Sequence, residues 1–315
     1  MGCGMAADVP QPMSSEGVNE GMKSLQQRKE TRDAWLMMFP ALIILLVIAV
    51  YPILRTFWLS LHEMVLTDPG SGYPFVGFKN YSDIFRDGRA GASIFFTFKF
   101  TIATVFFELV VGFAAAMIMN KTFKGRGLVR AAILIPWAIP TTVSALMWKF
   151  IYNDQYGLFN DVLYRLGLID GYRAWLSTES GTFMALVIAD VWKTAPFMAL
   201  LILAGLQMIP GDLYESAKID GANSFQAFVK ITLPMVKSTV LVALLFRTID
   251  AFRVFDLVSV MTGGANGSES VSLYAYTHLM KFLNFGYGSA LSVLIFLVVF
   301  AISLIYMKSI GKNLA

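Results

Sequence analysis

Nine ionisable side chains stand inside or at the edges of apolar segments: Lys99, Glu108, Lys149, Asp190, Lys193, Arg247, Asp250, Arg253 and Asp256. Charge in such surroundings is costly, so each is expected to pair, face a packed interior or line a water-filled path. Arg247, Asp250, Arg253 and Asp256 alternate in sign at every third residue. Helical neighbours three apart can pair, so a self-neutralising structural ribbon is the plainest reading of that row. Lys99 and Lys149 are expected to snorkel toward an interface. Groups of this kind can bind a solute or couple to an ion. Bond-making chemistry has no support: the sequence shows no nucleophile–base pair, no Gly-x-Ser-x-Gly elbow and no His or Cys set at metal-ligand spacing. It also lacks a Gly-x-x-x-x-Gly-Lys-Ser/Thr phosphate loop. His62 and His278 are isolated and receive no role.

A second feature is the polar segment from Pro210 to Pro234. Asp212 and Glu215 have capping-box spacing, and Leu213, Ala217 and Ile219 give a short, weakly amphipathic helix. Gly221 falls where a left-handed C-cap residue is expected. Asn223 or Ser224 then caps a second helix carrying Phe225, Phe228, Val229 and Ile231, which Pro234 ends. A helix–Gly–helix hairpin with charges of both signs is more than a connector. One reading is an interfacial helix resting on lipid headgroups; the other is a rigid knob that docks into a partner and transmits its movement.

The elements that must position these groups are set by composition. Of 315 residues, 57% are hydrophobic and 15% charged, and the mean hydropathy is +0.63. A soluble domain carries about 25% charged residues. A helix of about 20 apolar residues spans the hydrocarbon core, and six segments qualify: 35–61, 93–119, 129–151, 181–208, 236–260 and 286–307. Helices satisfy their own backbone hydrogen bonds in lipid, so the expected class is an all-α membrane protein with six transmembrane helices. Pro40, Pro52, Pro136, Pro140 and Pro196 mark kinks. Lys and Arg number thirteen in the tail, the 120–130 and 209–237 loops and the C-terminus, against six in the other loops. By the positive-inside rule both termini are cytoplasmic. The net charge of +4 and pI near 9.0 follow from that placement, and no nucleic acid is implied. Residues 1–34 read as a flexible cytoplasmic tail without a signal-peptide core, so the first span is an uncleaved anchor. Residues 35–308 form the six-helix transmembrane domain, with the 210–234 hairpin inside it, and 309–315 a cytoplasmic C-terminus. Cys3 is the lone cysteine, so no intrachain disulfide is possible.

Glu215-Ser-Ala-x-x-Asp220-Gly221-Ala, followed by Ile231-x-Leu-Pro234, resembles the EAA loop of permeases in binding-protein-dependent ABC importers. Gly125-Arg-Gly-Leu-Val-Arg130, Ile135-Pro-Trp-Ala-Ile-Pro140, Asn153-Asp-Gln-Tyr-Gly157, Ala174-Trp-Leu176, Asp190-Val-Trp-Lys-Thr-Ala-Pro-Phe197 and Thr262-Gly-Gly264 are similar to the MalF/UgpA-like branch that moves sugars, close to trehalose and maltose permeases. The resemblance runs in order over residues 32–310. Ser216 replaces the usual second alanine. Ser238 stands where many relatives have proline, so the exit from the second short helix is expected to be less sharply kinked.

The resemblance implies a transmembrane permease subunit of a prokaryotic inner-membrane sugar importer, multi-pass in lipid, and not an enzyme. It implies partners: a second homologous permease, two ATP-binding subunits that hold ATP and Mg, and an extracytoplasmic sugar-binding protein. No cofactor is expected in this chain. Docking to the ATPase is carried onto Glu215, Ser216, Ala217, Asp220, Gly221 and Ala222. Sugar contacts are carried onto Trp137, Thr141, Asp190, Lys193, Thr194 and Phe197, with Arg247, Asp250 and Arg253 aligned less securely. A disaccharide or oligosaccharide such as trehalose or maltose is the implied substrate. An ion-gradient-driven secondary carrier is the alternative that paired intramembrane Asp and Arg would suit, but it leaves the hairpin without a purpose.

Overall fold

The computed structural model describes the backbone of residues 15–68, 70 and 72–314, with side chains from residue 30 to 310. The described residues up to Arg55 form one unit and those from Thr56 onward another. In the first, α1 (Ser15–Leu45) passes through a π-helical turn at Leu46–Val50 into the start of α2 (Tyr51–Ser60). The segment read as a flexible tail is therefore helical from Ser15 onward, and residues 1–14 lie outside the described residues. Side chains from Trp35 to Leu54 are largely exposed and apolar. Glu30–Ser60 is long and apolar enough to cross a membrane, which makes lipid their solvent.

The second unit continues with α3 (Lys79–Arg86), α4 (Gly88–Asn120), α5 (Arg126–Ala138), α6 (Thr141–Ile151), α7 (Leu158–Arg165) and α8 (Glu179–Leu206). Then come α9 (Gly211–Ile219), α10 (Ser224–Ala227), α11 (Leu233–Phe252), α12 (Asp256–Met261), α13 (Val271–Met280) and α14 (Phe285–Leu314). No strand occurs among the described residues, where only isolated bridges pair His62 with Phe75 and Val65 with Asn284. The second unit's core is built on α4 against α8, with α11 across both. The apolar stretch of α8 is 56% buried, against 33% in α4 and 17% in α11 and α14, so α8 is the central span. Small residues make the crossings close. A Cβ on Gly112 would lie 2.9 Å from the Met198 side chain, and one on Gly205 would lie 2.7 Å from Thr239 Oγ1.

Three expectations change. The segment 129–151 is two helices, α5 and α6, bent by 94°. The bend falls at Ile139 and Pro140, both extended, where proline cannot donate and pushes its predecessor out of helical conformation. Five helices can span, or six if this bent pair counts as one. The fifth span does not reach residue 260: α11 stops at Phe252, and α12 begins at Asp256 after a break. The loop at 261–285 contains α13, capped by the Ser270 hydroxyl on the Leu273 amide.

Proline explains the two π-helical turns, at Leu46–Val50 and Phe228–Thr232. Each ends two residues before a proline, Pro52 or Pro234. A proline ring clashes with the carbonyl four residues back, here Ile48 or Lys230, and widening the turn relieves that clash without ending the helix. Ser224–Phe252 accordingly runs as one helix of 29 residues. Pro234, read from sequence as a stop, is a point of passage.

Candidate functional site

Glu108 is fully buried on α4. Its Oε2 accepts Nε of Arg247 at 2.5 Å and its Oε1 accepts Nη2 of the same guanidinium at 2.7 Å. This fork-on-fork contact uses the geometry that makes Arg–carboxylate pairs rigid. The Thr194 hydroxyl lies 2.7 Å from Glu108 Oε1 and 2.6 Å from the Asp190 carbonyl oxygen, and its single hydrogen serves one or the other. Arg247 also donates to Asp190 Oδ2 at 3.3 Å through Nη2, and to Asp250 through Nη1. One guanidinium thus ties α4, α8 and α11 together at three carboxylates. The arrangement corrects the ribbon reading: Arg247 does pair with Asp250, but its principal partner is Glu108, 139 residues earlier. Arg253 has left the helix, and neither it nor Asp256 forms an ion pair among the described residues.

This clamp backs a cavity of about 130 Å³. Thr141, Asp190, Lys193, Thr194, Arg247, Asp250 and Arg253 all line it, with Phe255 and Asp256. Thr141 arrives there as the first residue of α6, immediately after the 94° bend. Lys193 makes no ion pair among the described residues either, so cationic donors and carboxylate acceptors both remain available at the wall. Trp137 and Phe197 do not line this cavity. They stack on each other, ring centres 5.6 Å apart and planes 22° apart.

The hairpin is equally definite. Helix α9 starts from Pro210 without a side-chain cap, so Asp212 is a first-turn residue rather than the N-cap. At its other end Gly221 has φ +79°. The Gly221 amide donates to the Lys218 carbonyl and the Ala222 amide to the Ala217 carbonyl. That is the double bond of a Schellman end, whose left-handed position favours glycine. Asn223 then caps α10, its side chain accepting from the Gln226 amide while Gln226 accepts from the Asn223 amide. Tyr214 and Thr232 join the two arms by a 2.8 Å hydroxyl contact. Glu215, Ser216, Asp220 and Gly221 are exposed, with Ala217 and Ala222 half-buried between them. Ile219 and Phe225 flank the turn at 86% and 75% exposure, apolar surface that the chain's own core does not use.

Residues 108–313 match the model of the family described as the binding-protein-dependent transport system inner membrane component. The chain belongs to that family. It is 45% identical over 293 residues to the trehalose/maltose transport system permease protein MalF of Thermococcus litoralis, covering 92% of this chain and 98% of that one. It is 41% identical to the trehalose transport system permease protein SugA of Mycobacterium tuberculosis, covering 90% of each. Among solved structures, a bacterial ABC transporter involved in the import of the acidic polysaccharide alginate superposes with a TM-score of 0.79. The match covers 92% of this chain and 99% of that chain at 20% identity, and so shows the fold. The permease is a multi-pass inner-membrane transport component and not an enzyme.

The residue that sequence reasoning underused in this permease is Glu108. It stands with Thr101, Thr104, Thr97, Gly112 and Ala116 on the buried face of α4, the sole acid in a row of small and hydroxyl side chains. That pattern was the available signal. The other charges are placed modestly: Lys99 Nζ lies 4.3 Å above the Phe183 ring, and Lys149 Nζ donates to the Val260 carbonyl at 3.2 Å. His62 stacks on Trp58.

Proposed function

We propose that this permease carries a neutral disaccharide or oligosaccharide, of the trehalose or maltose kind, through the cavity backed by the Glu108–Arg247 clamp. The carrying observation is the cavity itself, where carboxylates, two guanidiniums and an ammonium converge beside Thr141 and Thr194. Sugar hydroxyls both donate and accept, and a wall offering fixed donors and acceptors matches them group by group. The names of the relatives favour the same substrates.

In this reading a second homologous permease supplies the other half of the path. Two ATP-binding subunits, holding ATP and Mg, grip the hairpin at Glu215, Ser216, Ala217, Asp220, Gly221 and Ala222. An extracytoplasmic sugar-binding protein delivers the substrate, and both termini lie in the cytoplasm. The exposed Ile219 and Phe225 around a glycine turn support docking, since a partner's cleft would cover them. Reconstitution of the assembled transporter in liposomes tests the proposal. Uptake of trehalose or maltose is expected to require ATP and the partner subunits, and Gly221→Trp or Glu215→Lys is expected to abolish coupled ATP hydrolysis or assembly while the chain still inserts. Uptake by this chain alone under a proton or sodium gradient would overturn it.

A further inference from the structure

A second cavity, a wide-open groove of about 360 Å³, shares lining residues with the first. Arg253 and Phe255 line both, so the two share one wall. Their linings differ in kind. The first is bordered by charged groups, the second by Tyr276, Leu279, Ile295 and Ser272 together with the shared pair. Phe255 and Tyr276 stand with ring centres 5.0 Å apart and planes tilted by 56°. Tyr276 is 43% exposed, and its hydroxyl has no hydrogen-bond partner among the described residues. Arg253, on the ridge between the cavities, is exposed and unpaired among the described residues, and its guanidinium carries five donors.

We propose that the second cavity is a subsite for the second ring of an oligosaccharide whose first ring occupies the charged cavity. The inference rests on the sugar reading given above. A single ring is satisfied by the hydroxyl-matching wall alone. A ligand of two or more rings presents a further face of C–H groups as well as hydroxyls. Such a face packs on aromatic rings, and Phe255 and Tyr276 offer one. Arg253 lines both cavities, and its guanidinium can donate to sugar oxygens in either. Arg253 and Phe255 stand in the break between α11 and α12 and line the wall common to both cavities. The subsite therefore selects for ligand length, complementing the first cavity's selection for hydroxyl pattern.

The test uses the complete reconstituted transporter with sugar-loaded binding protein as the varied component, so that KM refers to the loaded carrier, and with trehalose and maltose as probes. Tyr276→Ala is expected to raise the KM for uptake about tenfold, the loss of one good ring contact, and Tyr276→Phe to return it to within about twofold of wild type. An unchanged KM in Tyr276→Ala, while wild type moves both disaccharides, overturns the subsite and leaves the sugar reading standing. So does loss of the second permease from purified Tyr276→Ala complexes, which would assign this face to subunit contact. A wild type that moves neither sugar overturns both.

Discussion

Two single residues carry sharply testable energies. Glu108 has no exposure to fall back on, so removing it strands Arg247 beside only Asp190 and Asp250. Breaking a buried ion pair from one side costs roughly 3–5 kcal/mol, and Glu108→Leu is expected to lower thermal stability in detergent accordingly. Glu108→Leu with Arg247→Met should recover part of that loss, since apolar volume can replace a buried pair, yet leave sugar uptake abolished. Full uptake in the double variant would remove Arg247 from the site. Asp87, outside the spans, answers to pH. Partial burial raises its carboxyl, but hydrogen bonds from Tyr274 and Tyr287 and from the Arg89 and Ala90 amides outweigh this and hold it below its usual value of 3.8. A depressed folded value means that the ionised group stabilises the fold above about pH 4 and loses that contribution as pH falls through the folded value. Asp87→Asn should therefore unfold at lower temperature than wild type at pH 7, and the gap should narrow in acid. A gap constant with pH would mean that the carboxylate's charge is irrelevant.

At the scale of elements, the crossings of α4 with α8 and of α8 with α11 depend on Gly112 and Gly205. Gly112→Leu and Gly205→Val would each force a helix off its partner, at about 1–3 kcal/mol of overpacking, read as a lowered unfolding temperature. Wild-type stability in both would show that the helices separate without cost. Long apolar runs made the spans legible in the sequence, because hydrophobic length is a whole-segment property that no single contact overrides. The Gly221 turn and the Asn223 cap were legible for the opposite reason: their chemistry is local. What the sequence hid was long-range. The partner of Arg247 is not three residues along its own helix but 139 away on α4, and no spacing rule reaches that far. The break at Arg253 was hidden too, as no proline or glycine marks it. The charged residues that looked like a helical row are instead distributed around a cavity wall.

For the whole molecule, orientation is the simplest property to measure. With Cys3 replaced by serine, Arg165→Cys is expected to react with an impermeant maleimide in intact cells, whereas Lys124→Cys and Lys218→Cys react only after lysis. The reverse pattern would invert the assignment of sides drawn from thirteen against six basic residues. The unbroken run from Ser224 to Phe252 has a mechanical meaning. It joins the exposed hairpin to Arg247 without a hinge, through a π-helical turn that widens the coil but does not interrupt it. At 1.5 Å per residue the arm from Ser224 to Arg247 is on the order of 35 Å, so a tilt of about ten degrees at one end sweeps the other by roughly 6 Å. That is the width of a sugar ring. One lever suffices to open or shut the wall to which it is attached.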